Sequence, residues 1–153
     1  MNQTNAERNA ERIESLKAGI LGLIAAGFVF GMTEIAGRFI LLQLGFDVPI
    51  DRLFPLLPLQ WSSLLPGTVV LVSGFLFGVT YRYIVRQDDN PQLKAGAVMA
   101  FGLVRGFAQI SEMAQLDGLL SGGRVLESVL LFGGAGLVLD WAMRHGWFKA
   151  FDA

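Results

Sequence analysis

Residues 61–81 contain no charged side chain, and this run constrains the fold more than any other feature of the chain. An α-helix needs about 20 mostly apolar residues to cross the hydrocarbon core of a bilayer. The whole chain is 53% hydrophobic and only 16% charged, with a mean hydropathy of +0.52, whereas an average soluble domain carries about 25% charged residues. We therefore predict an integral membrane protein.

Apolar segments of spanning length recur along the 153 residues. They predict an all-α bundle of four transmembrane helices, at about 18–42, 64–85, 93–114 and 125–143. A polar, helical N-terminal tail, 1–16, precedes this transmembrane domain, 17–153. The linker 46–60 is rich in leucine and carries three prolines, so we expect an interfacial segment along the membrane surface. Two adjacent glycines, Gly122 and Gly123, favour a second linker at 116–123.

Basic residues are distributed unequally between the two sides of the predicted bundle. Three lie on the side of the long linker, Arg38, Arg52 and Arg124. The opposite side, which holds both termini and the turn before span three, carries Arg8, Arg12, Lys17, Arg82, Arg86, Lys94, Arg144 and Lys149. Because cytoplasmic loops are enriched in Lys and Arg, we predict both termini on the cytoplasmic or stromal side of an inner, plasma or thylakoid membrane.

Glycine pairs with GxxxG spacing occur in the first three predicted spans. Residues 27–33 of span one, GFVFGMT, are echoed by residues 74–80 of span two, GFLFGVT. In lipid, small residues at this spacing let helix backbones approach closely. We therefore predict that the helices pack through Gly27, Gly31, Gly74, Gly78, Gly102 and Gly106.

Ionisable residues inside the predicted spans form an intramembrane polar network. Arg105, Gln109 and Glu112 are spaced i, i+4 and i+7 and therefore share one helix face. A charge within a membrane span is costly and has to face protein or water. The predicted network is completed by Glu34, Arg38 and Glu127.

Two interpretations of this network remain open. Arg105 could pair with Glu34 or Glu112 and fix how the helices assemble, or the same side chains could line a path for protons, ions or a polar ligand. Because acidic and basic residues nearly balance, the structural interpretation is favoured.

Composition excludes several classes of function. The chain has no cysteine and a single histidine, His145, so we predict neither a metal site nor a cofactor. A net charge of −1 argues against a nucleic-acid partner. Since no nucleophile lies in a recognisable motif with a base, we predict that the protein is not an enzyme.

Residues 78–94, GVTYRYIVRQDDNPQLK, together with 102–106, GLVRG, resemble an uncharacterised multi-span membrane-protein family of cyanobacteria and plastids. The resemblance covers spans two and three. It implies a thylakoid or inner-membrane location and a role near the photosynthetic machinery, and it implies no catalytic residue.

These observations predict a non-enzymatic accessory or assembly subunit. Its expected partners are the lipid bilayer and either other membrane proteins or further copies of itself. The alternative is a small oligomeric transporter or channel whose path is lined by intramembrane Glu and Arg side chains.

Overall fold

Four helices make up the part of the chain that the computed structural model describes, residues 5–43, 45, 61–85, 90–112 and 118–151. No strand occurs in these residues, which confirms the all-α prediction. The helices are α1 (Asn5–Gln43), α2 (Trp61–Ile84), α3 (Pro91–Glu112) and α4 (Gly118–Arg144). The predicted interfacial linker, 46–60, lies outside the described residues.

All four helices are long and apolar enough, by length and composition, to cross a membrane. The candidate spans are Glu7–Gly37, Leu65–Ile84, Pro91–Ile110 and Gly122–Arg144. From Asn5 onwards, the polar tail and the first span form one continuous helix of 39 residues. A helix that crosses a membrane needs no polar outer face, because lipid can solvate the apolar side chains that point outwards.

The prediction of a linker at 116–123 is wrong for most of these residues, because α4 already begins at Gly118. Gly122 and Gly123 therefore lie within a helix. In water a glycine pair favours a break, but in lipid each backbone N–H and C=O group needs a partner within the protein. Glycine is accordingly more frequent in membrane helices than in soluble ones.

The bundle consists of two closely packed antiparallel pairs. Helix α1 packs along α2, and α3 packs along α4, while α1 also contacts α4. Helices α2 and α3 follow one another in sequence but pack only sparsely. The seam between α2 and α3 is therefore the open side of the bundle.

Glycine allows the close approach of α1 and α2. A Cβ added to Gly22 would lie 2.5 Å from the carbonyl oxygen of Gly74 and 2.8 Å from the Cα of Gly78. A Cβ at Gly74 would lie 2.5 Å from the Cβ of Ala26. The two backbones touch here without intervening side chains, as expected for small residues in lipid.

The other glycines predicted to pack helices differ in their surroundings. Cβ atoms at Gly102 and Gly106 would each lie 2.8 Å from a valine Cα of α4, so this pair lies at the α3–α4 contact. A Cβ at Gly27 would meet only the side chain of Leu71, at 3.0 Å. Nothing lies within 4 Å of such an atom at Gly31. Gly31 is nine residues from Gly22, about two and a half helical turns, and therefore faces away from α2.

Aromatic rings fill the centre of the bundle. The ring of Phe77 lies 5.2 Å from that of Tyr81, 5.3 Å from Phe101 and 5.1 Å from Phe132. The side chains of Phe77, Phe132 and the neighbouring Leu131 are fully buried. Helices α2, α3 and α4 all contribute to this aromatic layer, which we define as Phe77, Tyr81, Phe101 and Phe132.

Candidate functional site

A groove opens sideways between α2 and α3, where these helices pack sparsely. Its cavity volume is about 960 Å³, at the upper end of the range for small-molecule sites. Three aromatic side chains, Phe30 of α1, Phe101 of α3 and Phe132 of α4, line it together with other residues of both walls. The apolar wall residues include Leu65, Val69, Leu76, Ala100, Val104 and Ala108.

The groove extends from one end of the bundle towards its middle. Leu65 and Leu76 lie on its α2 wall and are 11 residues apart, or roughly 16 Å along the helix. Val104 on the α3 wall is 72% exposed, and Val69 opposite is 55% exposed. The groove therefore faces the surroundings of the bundle along its side and is not enclosed within the helices.

Hydrogen bonds to Ser128 hold the polar side chains at the outer end of the groove. The Arg105 guanidinium donates to Ser128 Oγ at 2.9 Å, and the Gln109 amide donates to the same oxygen at 3.0 Å. Ser128 is fully buried on α4. The Arg105 guanidinium carbon also lies 5.8 Å from the ring centroid of Phe30. Arg105 and Gln109 do share one face of α3, and that face is directed at α4.

Arg124 connects the acidic side chains of this region. Its guanidinium lies 3.1 Å from Glu127 on α4 and 3.9 Å from Glu34 on α1. Arg124 therefore joins an acidic side chain of α1 to one of α4. The sequence prediction omitted Arg124 from the network, because it placed residues 116–123 in a linker and Arg124 at its edge. The three-residue spacing between Arg124 and Glu127 was the sequence feature that could have placed Arg124 in the network.

The structure does not describe every side chain of the predicted network. The side chains of Arg38 and Glu112 lie outside the described residues. Among the described ones, Arg105 Nε and Glu127 Oε1 are buried and have no hydrogen-bond partner. A buried polar atom without a partner costs about 1–3 kcal/mol, so the network does not satisfy the hydrogen-bonding needs of all its buried atoms.

No group of three acidic, histidine or cysteine side chains in the described ranges could hold a metal ion.

The polar end of the groove coincides with the ends of the candidate spans. Glu34 lies three residues before the end of the first span, and Arg124 lies two residues after the start of the fourth. Arg105 lies five residues before the end of the third, a depth of about 7.5 Å. Glu127, five residues after the start of the fourth span, lies equally deep. Arg105 and Glu127 are therefore both inside the apolar region, and a long arginine side chain reaches the interface from that depth.

A second polar cluster, which sequence reasoning did not identify as a site, closes the opposite end of the bundle. The fully buried Arg82 guanidinium donates to Glu11 Oε2, to Ser15 Oγ at 2.7 Å and to the Lys149 carbonyl at 2.8 Å. It also lies 5.8 Å from the ring centroid of Phe151. Arg82 thus joins α2 to the start of α1 and to the segment after α4, which places both at the same end of the bundle.

A neighbouring ion pair links the other helices at this end. Lys94 Nζ lies 2.9 Å from Asp140 Oδ2, and the Tyr81 hydroxyl donates to Asp140 Oδ1 at 3.1 Å. Asp140 therefore bridges α2, α3 and α4. The aromatic layer separates these groups from the polar end of the groove.

Comparison of the chain with protein-family models, with curated proteins and with solved structures finds no match. A function for the protein therefore has to be inferred from the geometry of its own residues.

Proposed function

We propose that this protein is a non-enzymatic integral membrane protein that serves as an accessory or assembly subunit. It packs against other membrane proteins, in an inner, plasma or thylakoid membrane, with both termini on the cytoplasmic or stromal side. The resemblance of residues 78–94 and 102–106 to a cyanobacterial and plastid family suggests partners in the photosynthetic machinery.

An outward stripe on α1 is the observation that carries this proposal. Ile24, Phe28 and Ile35 are 56%, 69% and 64% exposed, and Gly31 lies among them at helical spacing, with nothing in the described residues within 4 Å of its Cβ position. Residues spaced i, i+4, i+7 and i+11 share one face. Large side chains flanking a glycine offer the shape that a transmembrane helix of another protein packs against in lipid.

The aromatic layer weighs against the alternative, a transport path through the bundle. A proton or ion path needs polar groups or water along its length. The two polar clusters lie at opposite ends, and fully buried apolar side chains, Phe77 and Phe132 among them, fill the space between them. Most of the charged groups in the clusters are also paired with each other.

Purification in mild detergent from native membranes tests this function. We expect other membrane proteins to co-purify in fixed ratio, and we expect Gly31→Leu to reduce their recovery severalfold, because the added side chain disrupts the outward stripe. Gly67→Leu is the matched control, since nothing lies within 4 Å of that Cβ position either but Gly67 is on α2. The thermal stability of both purified variants should be at least that of the parent, because neither added side chain meets a clash and leucine favours the helix more than glycine does.

Two results would contradict the proposal. One is a purified protein that carries no partner and shows no self-association, with the Gly31 variant unchanged. The other is a flux of protons or ions across the membrane of proteoliposomes that exceeds the flux across empty liposomes. That result would support the alternative function, transport. Phe77→Ala distinguishes a path through the bundle, since opening the aromatic layer would then increase the flux.

A further inference from the structure

We propose that the lateral groove binds one anionic membrane lipid, with an acyl chain along its apolar walls and the phosphate or carboxylate of the head group at Arg105 and Arg124. The lipid comes from the leaflet on the side of the α1–α2 linker. This binding site is independent of the proposed association with partner proteins, because the outward stripe of α1 does not line the groove.

The dimensions of the groove match one leaflet. Its apolar part runs roughly 16 Å along α2, from Leu65 to Leu76, and half of a typical hydrocarbon core is about 15 Å. Leu65 is also the first residue of its candidate span, so the groove starts at the membrane surface and ends near the bilayer centre. An acyl chain anchored at that surface would extend over the same depth.

The polarity of the groove follows the polarity of a lipid. Charged and amide groups, on Glu34, Arg105, Gln109 and Arg124, line its outer half. Leu76, Phe101 and Phe132 line the inner end. A lipid in the same leaflet has its charged group outermost and its hydrocarbon inward, so each part of the molecule would meet wall groups of matching chemistry.

The charges on the wall favour an anion. Two guanidinium groups and one carboxylate line the groove. Arg124 is 41% exposed and pairs with Glu127 at 3.1 Å, while its contact with Glu34 is longer, at 3.9 Å. Its guanidinium can therefore keep Glu127 and still donate to a ligand with its remaining N–H groups. Among the described residues Arg105 makes one hydrogen bond, to Ser128, which leaves most of its five N–H donors available. Guanidinium groups bind carboxylates and phosphates through paired, charge-assisted hydrogen bonds.

Access from the side identifies the source of the ligand. Leu65, Val69 and Val104 on the groove walls are 66%, 55% and 72% exposed, and in a membrane these residues lie beside lipid. A water-soluble anion would have to enter past this apolar surface. A lipid of the adjacent leaflet can instead slide in without leaving the bilayer.

Native mass spectrometry of the delipidated, purified protein tests the assignment. Phosphatidylglycerol and phosphatidylcholine with identical acyl chains are added separately. We expect one phosphatidylglycerol molecule to bind roughly tenfold more tightly than phosphatidylcholine, a difference of about 1.4 kcal/mol. Both lipids present a phosphate to the guanidinium groups, but the choline ammonium of phosphatidylcholine cancels the negative charge and is repelled by two arginines. Arg105→Gln combined with Arg124→Gln should abolish this preference, whereas Arg144→Gln, an exposed arginine at the opposite end, should keep it. Inorganic phosphate in excess should not displace the lipid.

A second variant tests the place of binding without changing any charge. Ala108→Phe fills the groove and should reduce the affinity for both lipids at least severalfold, whereas Ala95→Phe, on an exposed part of α3 that does not line the groove, should not. Equal affinity for the two lipids, or a preference that survives the double arginine substitution, would overturn the head-group assignment. Unchanged binding by the folded Ala108→Phe protein would overturn the site.

Discussion

Gly78→Ala is expected to lower the free energy of unfolding by about 2 kcal/mol or more, near the upper end of the cost of forcing extra atoms into a packed contact. The added Cβ would lie against the carbonyl oxygen of Ala18, 2.9 Å from its carbonyl carbon and 3.1 Å from the Cα of Gly22. All three are backbone atoms, so no rotamer change relieves the clash. The helices α1 and α2 would have to separate, and Gly78→Val should separate them further.

Gly31→Ala is the matched control, because Gly31 occupies the equivalent position in the echoed segment of α1. Nothing lies within 4 Å of its Cβ position, and alanine is favoured over glycine in a helix by about 0.5–1 kcal/mol. Unfolding of both variants in mixed detergent micelles, followed by circular dichroism, measures the difference. Equal stability of the two would show that α1 and α2 do not touch at Gly78.

Arg82→Met is expected to lower the free energy of unfolding by about 3 kcal/mol, the lower end of the range for removing one partner of a buried ion pair. The guanidinium is fully buried, and its loss leaves the Ser15 hydroxyl and the Lys149 carbonyl without their donor. Glu11 retains 31% of its side-chain exposure and can be rehydrated, which limits the cost. The segment after α4 should loosen, because the hydrogen bond from Arg82 to the Lys149 carbonyl is one of its anchors. The bond from Lys149 N–H to Glu14 and the contact of the Phe151 ring with Tyr83 remain.

Thermal unfolding and limited trypsin digestion measure this effect together. In the Arg82→Met protein we expect cleavage after Lys149 to become several times faster than in the parent. Arg12→Met removes an exposed arginine on the same end of α1 and should change neither quantity. Arg82→Lys keeps the charge but not the fork of donors, so it should fall between the two. A tail that stays protected in Arg82→Met would mean that Arg82 does not anchor it.

The helices could be predicted from sequence because lipid imposes a simple rule. A segment that crosses the hydrocarbon core has to be apolar and long enough, and this criterion identified all four helices. Helical spacing alone also placed Arg105 and Gln109 on one face, since that spacing depends only on backbone geometry. The glycine pair of α4 was misread as a linker, because rules for breaks in water do not hold in lipid.

The polar contacts could not be predicted in the same way, because they depend on which helices become neighbours. Arg82 lies in the last turn of α2, where a basic residue normally indicates the water-facing end of a span. Its burial requires the extension of α1 and the segment after α4 to meet over it, which is a tertiary event. The pairing of Glu34 with Arg124 likewise depends on the contact between α1 and α4, and the groove on the sparse packing of α2 against α3.

The depth of two groove residues in a lipid nanodisc tests most directly whether the groove faces lipid and spans one leaflet. The chain has no cysteine, so nitroxide labels can be attached singly at Val104→Cys and Leu76→Cys and their collision rates with oxygen and with a water-soluble nickel complex compared. We expect Val104 about 9 Å and Leu76 about 16 Å below the membrane surface, with oxygen access exceeding nickel access at both and more strongly at Leu76. Greater access to nickel than to oxygen at either position, or a label on Leu76 that is shallower than the one on Val104, would contradict a lipid-facing groove.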